Sequence, residues 1–203
     1  MRLISLNTWT GKIFAPLTTW IKEQAPTTDI FCFQEVSSTK SAMKKSGGGR
    51  MNLLEELTEV LRDFTPYFAP ILEDRNPKME IPEKHNDFGN ATFVRKSVAV
   101  TGSEIQFVYR EPNSLTGKDI STIPRNILTI DIASRGSTFS VTNLHGAWQE
   151  NTKKLDTPER IQQSQKILDF FATKSRPKIL CGDFNLMPET ESLLMLERFG
   201  LRN

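Results

Sequence analysis

The chain has little of what marks a disulfide-stapled, zinc-bound or membrane protein. Only two cysteines occur in 203 residues, Cys32 and Cys181, each inside an apolar, strand-like run. That excludes a disulfide framework and fits buried free thiols in a reducing compartment. With two histidines, His85 and His145, the sequence lacks the Cys and His clusters of a zinc site. A formal net charge of +2 is too small to argue for a nucleic-acid partner, although a local basic groove would not register in it. No Walker-type phosphate loop is present, which argues against nucleotide-driven transfer. The opening "MRLISLNTWTG" has no long apolar segment of the secretory kind, and no run approaches membrane-spanning length. A cytoplasmic chain with no membrane anchor is the expectation. Internal repeats and domain linkers are also missing, so residues 1–203 read as one domain.

What is present begins with a composition of 37% hydrophobic and 25% charged residues, that of a globular protein with a sizeable core. "RLISLN" reads as a short buried strand, followed by an amphipathic stretch from Ile13 to Gln24. "DIFCFQEV" is a near-continuous apolar run, the pattern of a strand covered on both faces. In "NLLEELTEVLRDF", Leu53, Leu54, Leu57, Val60, Leu61 and Phe64 recur at helical spacing. "NATFVRK", "SVAVTGSEIQFVYRE", "RNILTIDIAS" and "STFSVTNLHG" are consecutive strand candidates with turn-like breaks, which predicts antiparallel pairing. Thr157 and Pro158 suit the N-cap and first position of a helix with Ile161, Ile167, Leu168 and Phe171 on one face. "PKILCGDFN" reads as another buried strand, and "ETESLLMLERFG" as a helix stopped by Gly200. The glycines at 47–49 imply a mobile loop. Lys44, Lys45 and Arg50 beside them read as a solvated charge run. Two further loops, from Glu73 and from Arg110, are long for a compact domain and invite a binding role.

Polar residues close four of the apolar strands: Asn7, the pair Gln34 and Glu35, the pair Asn143 and His145, and the pair Asp183 and Asn185. Each alone reads as a turn residue or a structural histidine. Their recurrence at four strand ends points to a shared site, because α/β folds place reactive groups there. Carboxylates such as Glu35 and Asp183 suit Mg²⁺ or Mn²⁺. A divalent ion would reverse the field that otherwise repels a phosphodiester. The Asn185 amide and the His145 imidazole are then candidate donors to charge building on phosphorus. Trp9 and Trp148 lie just past Asn7 and His145, where an indole either stacks on a base or lipid headgroup or belongs to the core.

"LISLNTW", "DIFCFQEV", "GNATFVRK", "VTNLHG" and "ILCGDFN", in this order and spacing, resemble the endonuclease/exonuclease/phosphatase superfamily over nearly the whole chain. The resemblance implies an α/β fold like that of deoxyribonuclease I, a four-layer α/β/β/α sandwich of two mixed sheets. It implies a Mg²⁺- or Mn²⁺-dependent phosphoesterase, foremost a nuclease-type phosphodiesterase. A lipid or sugar phosphate phosphatase, or a binding scaffold that has lost activity, are the other readings. By the same resemblance Glu35 is the metal-binding glutamate and Asn7 its neighbour, while His145 contacts phosphate. Asp183 positions the nucleophilic water, Asn185 stabilises the transition state, and Asn90 lies near the substrate.

Family members usually finish on a strand carrying Ser-Asp-His, and no counterpart of that general-base pair follows "GLRN". The expectation is therefore a domain incomplete at its carboxyl end: a fragment, a short member, or half of a site completed elsewhere. "RLISLN" would then lack a neighbour, exposing an edge that a homo-oligomer could cover.

Overall fold

The computed structural model describes residues 1–39, 45–46, 48–72, 86–112, 114–115, 119–134 and 136–201. In chain order the elements are β1 (Leu3–Asn7), α1 (Phe14–Gln24), β2 (Ile30–Thr39), β3 (Lys45–Ser46), β4 (Gly49–Arg50), α2 (Leu53–Val60) and β5 (Phe64–Leu72). They continue with β6 (Asn86–Arg95), β7 (Ala99–Tyr109), β8 (Arg125–Ser134), β9 (Ser137–His145), α3 (Pro158–Ala172), β10 (Lys178–Asp183) and α4 (Glu191–Arg198).

Two four-stranded sheets result, ordered β1-β2-β6-β5 and β10-β9-β8-β7. Both are mixed: β1 runs parallel to β2 and β10 parallel to β9, whereas the remaining pairs are antiparallel. Strand alternation explains the layering. Phe31 and Phe33 of β2 pack against Leu17 and Ile21 of α1 and Leu53 and Leu57 of α2. The alternate residues Ile30 and Cys32 face the other sheet, meeting Leu128, Ile130 and Val141. Ile127 and Leu144 on that sheet's far side pack on Ile167, Phe171 and Leu196 of α3 and α4. The order is helix, sheet, sheet, helix, the α/β sandwich expected.

The structure corrects several local expectations. Phe64 is not helical; it starts β5, whose two prolines hid it from a strand pattern. Pro66 and Pro70 are tolerated because, among the described residues, β5 is the edge of its sheet, where a missing N–H breaks no ladder. Among the described residues β1 and β10 are also edges, and both are half-buried rather than fully buried. On α3 the buried face carries Arg160, Gln163, Ser164, Ile167 and Phe171, while Ile161 is exposed. Lys45–Ser46 and Gly49–Arg50 pair as a small hairpin, so part of the glycine run is pinned. Gly49 lies so close to Thr10 that a Cβ there would sit 2.6 Å from the Thr10 hydroxyl. Arg50 pairs with Glu56 at 3.2 Å and lies over the Phe14 ring, and thus is not a free surface charge. Lys44, Gly47, His85 and the loop 73–85 lie outside the described residues.

Thr157 caps α3, its hydroxyl accepting from the Arg160 N–H. Asp156 caps α4 from outside that helix, accepting from the N–H groups of Glu191 and Ser192 and the Ser192 hydroxyl. Burial pulls the Asp156 carboxyl upward. The Ser192 side chain, the two N–H groups and Arg160 outweigh it and set the net value below the usual one. Because the folded value lies below the unfolded one, this stabilisation is present above about pH 4 and is lost as pH falls through the folded value. Asp156→Ala should cost roughly 0.5–2 kcal/mol at neutral pH, and the gap from wild type should close in acid. Urea denaturation of both proteins across pH checks this; a gap unchanged at low pH would exclude an ionised cap.

Candidate active site

The site forms where β1, β2, β9 and β10 end, and a bulge in β2 creates it. Phe33 pairs with Ala91 and Val36 with Gly89, so Gln34 and Glu35 together oppose one residue, Asn90. Phe33 and Val36 both face the helix-side core. Strict alternation would have sent Glu35 to that side. The extra residue, with Glu35 at a φ of 57°, turns both polar side chains away from it.

Asn7 then ties three strands. Its Nδ2 donates to Glu35 Oε1 and to Asp183 Oδ2, both at 3.0 Å, while its Oδ1 accepts from the Trp9 N–H at 2.9 Å. Asp183 is oriented from the other side by the Asn185 N–H, 3.0 Å from Oδ1. Asn185 is 6% exposed, has a φ of 54°, and uses one amide hydrogen on the Gly146 carbonyl. Gly182 is required here: at its φ of 145°, a Cβ would lie 1.9 Å from the Leu144 carbonyl oxygen.

His145 is buried, with Nε2 4.0 Å from Glu35 Oε1 and Nδ1 3.3 Å from a guanidinium nitrogen of Arg125. A guanidinium can only donate, so Nδ1 accepts and the ring proton sits on Nε2, on the side of Glu35. Burial, then Arg125 and Lys154, hold the imidazole well below its usual pKa. It is a neutral donor at physiological pH. Burial pulls Arg125 down to about 10, opposed by Glu35, Asp183 and Tyr109, so it stays cationic. Its Nε has no hydrogen-bond partner among the described residues.

Sequence reading missed Arg125. It opens β8 after a Pro-containing loop, where an arginine reads as a solvated strand start. The available signal was antiparallel pairing of β8 with β9, which sets the start of one strand beside the end of the other, where His145 lies.

Not every polar strand end faces the acidic pair. Asn143 is fully buried between the sheets, donating to the carbonyls of Phe33 and Ala91 at 3.1 Å and accepting from Gln34 at 2.6 Å. Asn90 is likewise 1% exposed and donates to Asn126, which donates to the Pro70 carbonyl. Trp9 is 55% exposed, with Lys12 over its ring, and Trp148 is half-buried. Arg160 is fully buried and holds the loop after β9 through the carbonyls of Ala147 and Leu155 and the Thr152 hydroxyl.

Two facing mixed sheets flanked by helices, with acidic and amide side chains gathered at one end, define a phosphoesterase class of α/β sandwich. Residues 4–203 match the model of the endonuclease/exonuclease/phosphatase family, and the chain belongs to that family. Its members are hydrolases of phosphoester bonds. No curated protein sequence matches the chain. Among solved structures it is similar to a mannosyl-6-phosphatase of Bacteroides thetaiotaomicron (16% identity, 98% of this chain and 69% of that one, TM-score 0.63). It is also similar to TDP2 of D. rerio, solved with a single-stranded DNA product (16%, 98% and 64%, TM-score 0.60). A third similar structure is the human Nocturnin catalytic domain with bound sulfate (16%, 92% and 61%, TM-score 0.56). At these identities the likeness is one of fold.

Removing the Asn143 amide should orphan buried groups on both sheets. Asn143→Ala is expected to lower unfolding free energy by roughly 2–4 kcal/mol, read by urea denaturation. A loss within about 0.5 kcal/mol would show that the amide bridge contributes nothing.

Proposed function

We propose that the chain is a divalent-metal-dependent phosphoesterase that cleaves phosphodiester bonds, with nucleic acid as its substrate class. One observation carries this reading: the Asn7 amide joins Glu35 to Asp183, and a neutral His145 sets Nε2 4.0 Å from the same Glu35 oxygen.

The donor set fits a hard ion. Among the described residues no group of three or more His, Cys, Asp or Glu side chains gathers to hold a metal. Mg²⁺ suits such a site, because it is usually held by one or two carboxylates and keeps several waters. Glu35 would hold it, with Asn7 as its neighbour; Mn²⁺ is the other candidate. When bound, the ion neutralises phosphate charge and polarises the phosphoryl oxygen.

The remaining work falls to the chain's own side chains. Asp183, aligned by Asn7 and Asn185, accepts a proton from the attacking water. His145 Nε2–H and the second amide hydrogen of Asn185 donate to the phosphoryl oxygens as charge builds. Arg125 keeps the imidazole in the donating tautomer and adds positive potential behind it. The exposed Trp9, whose backbone N–H donates to Asn7 and whose ring carries Lys12 over it, favours nucleic acid over a sugar phosphate, since an exposed indole can stack on an unpaired base. A single-stranded DNA product in the similar TDP2 supports the same substrate class.

With Mg²⁺ present, Asp183→Ala and Asn185→Ala should each lower kcat roughly 10²–10³-fold with little change in KM, and EDTA should abolish turnover. Trp9→Ala should raise KM for single-stranded DNA roughly tenfold while leaving bis-p-nitrophenyl phosphate unaffected. Activity surviving both site substitutions, in protein free of contaminating nuclease, would refute the site. Faster hydrolysis of a sugar monophosphate, indifferent to Trp9, would refute the substrate class alone.

A further inference from the structure

Arg50 is a charged side chain that the phosphoesterase reading leaves without a task. It ends β4, the second strand of the small hairpin, and only 18% of its side chain is exposed. Four separate elements hold it. Its guanidinium carbon lies 3.8 Å from the centre of the Phe14 ring at the start of α1, and its Nε lies 3.2 Å from Glu56 Oε2 on α2. Its carbonyl accepts from the Ser37 hydroxyl on β2. Its aliphatic stem covers the loop after β1: a Cβ added at Gly11 would sit 3.0 Å from Arg50 Cγ. A guanidinium can stack on a ring and pair with a carboxylate at once, which a lysine ammonium does less well.

From these contacts we infer that Arg50 is a positioning residue that fixes the Trp9 indole for base stacking, a role that rests on the phosphoesterase reading for what Trp9 touches. The path between the two residues is short. Trp9 and Thr10 hold left-handed backbone at φ of 47° and 51°, and Gly11 follows at 67°. Such a turn is uphill for the two residues that are not glycine, and it persists only where its surroundings over-determine it. Two clamps do so. From β2, the Gln34 carbonyl accepts the Thr8 N–H at 3.0 Å, and the Gln34 and Glu35 carbonyls take the Thr8 hydroxyl at 2.8 and 3.1 Å. From β4, Gly49 lies against the Thr10 side chain and the Arg50 stem closes over Gly11.

The indole itself is 55% exposed, so it takes its direction from the backbone beneath it and not from packing of its own. Releasing the β4 clamp therefore frees the ring. The acidic pair is held differently. Asn7 is fixed by the ladder of β1 with β2 and by its bonds to Glu35 and Asp183, none of which involves Arg50. Loss of Arg50 thus reaches the stacking group and spares the carboxylates. The signature is a change in substrate binding with the chemical step intact.

The experiment has two arms. In the first, Trp20→Phe and Trp148→Phe leave Trp9 as the single tryptophan of the full chain, and its fluorescence anisotropy decay is recorded. Arg50→Ala should add a fast depolarising component on the ps–ns scale, and Arg50→Lys should restore the slow decay only in part. Glu56→Gln, which keeps the arginine and removes its charge partner, should act in the same direction and guards against an Arg50→Ala chain that does not fold. This arm needs no turnover, so it decides the positioning role separately from the phosphoesterase reading. In the second arm, with Mg²⁺, Arg50→Ala should raise KM for single-stranded DNA roughly tenfold and hold kcat within about twofold. In a Trp9→Ala background the same substitution should add nothing to KM, because both changes remove one interaction. A merely structural arginine would lower melting temperature and leave that non-additivity unseen. Three results overturn the inference: a Trp9 decay unchanged in both Arg50→Ala and Glu56→Gln, a wild-type KM in an Arg50→Ala chain that turns over, or a KM rise that adds to that of Trp9→Ala.

Discussion

A carboxamide cannot be buried without partners, and that constraint governs how the two sheets meet. Leaving one such group unsatisfied in the interior costs about 1–3 kcal/mol, a large share of the 5–15 kcal/mol that stabilises an ordinary domain. Apolar packing between Ile30, Leu128 and Val141 draws the sheets together but tolerates sliding. The amide pairs Gln34–Asn143 and Asn90–Asn126 do not, because each donor must meet one acceptor on the opposite sheet. Asn7 extends the same device to the surface, where its partners are Glu35 and Asp183.

The carboxylates are therefore placed by the machinery that docks the sheets. The β2 bulge frees Glu35 from the helix-side core, and Asn143 occupies the carbonyl of Phe33 just before the bulge. On the other sheet, the left-handed Asn185 presents its N–H to Asp183. Arg125 and His145 complete the electrostatics: burial, then the Arg125 cation, keeps the imidazole neutral, and the carboxylates offset part of the burial that pulls Arg125 down.

Much of this was legible in the sequence, for identifiable reasons. Apolar strand-like runs were easy to recognise, and polar residues at their ends stood out against them. Asn7, Glu35, His145, Asp183 and Asn185 were found that way, and the structure brings them to one place. What escaped was set by pairing across the fold. Asn143 looks like Asn185 in one dimension, yet it is sealed between sheets. Arg125 acquires meaning only from its position beside His145. Glu35 points where it does because of an inserted residue whose partner lies in β6, far along the chain. β5 was invisible because its prolines violate a strand pattern that holds for central strands and not for edges.

The backbone at the site carries one more consequence. Trp9, Thr10, Glu35 and Asn185 all hold positive φ angles without being glycine. Such conformations are uphill locally and persist only when surrounding structure over-determines them. What over-determines them here is contact between strands distant in sequence, including the Asn7 bridge from β1 to β10. During folding, those residues have no reason to leave ordinary backbone regions until both sheets have formed and docked. The candidate site is then expected to organise last, with φ-values near zero. Sequence change there should then alter how fast the protein comes apart and leave the speed of folding nearly untouched.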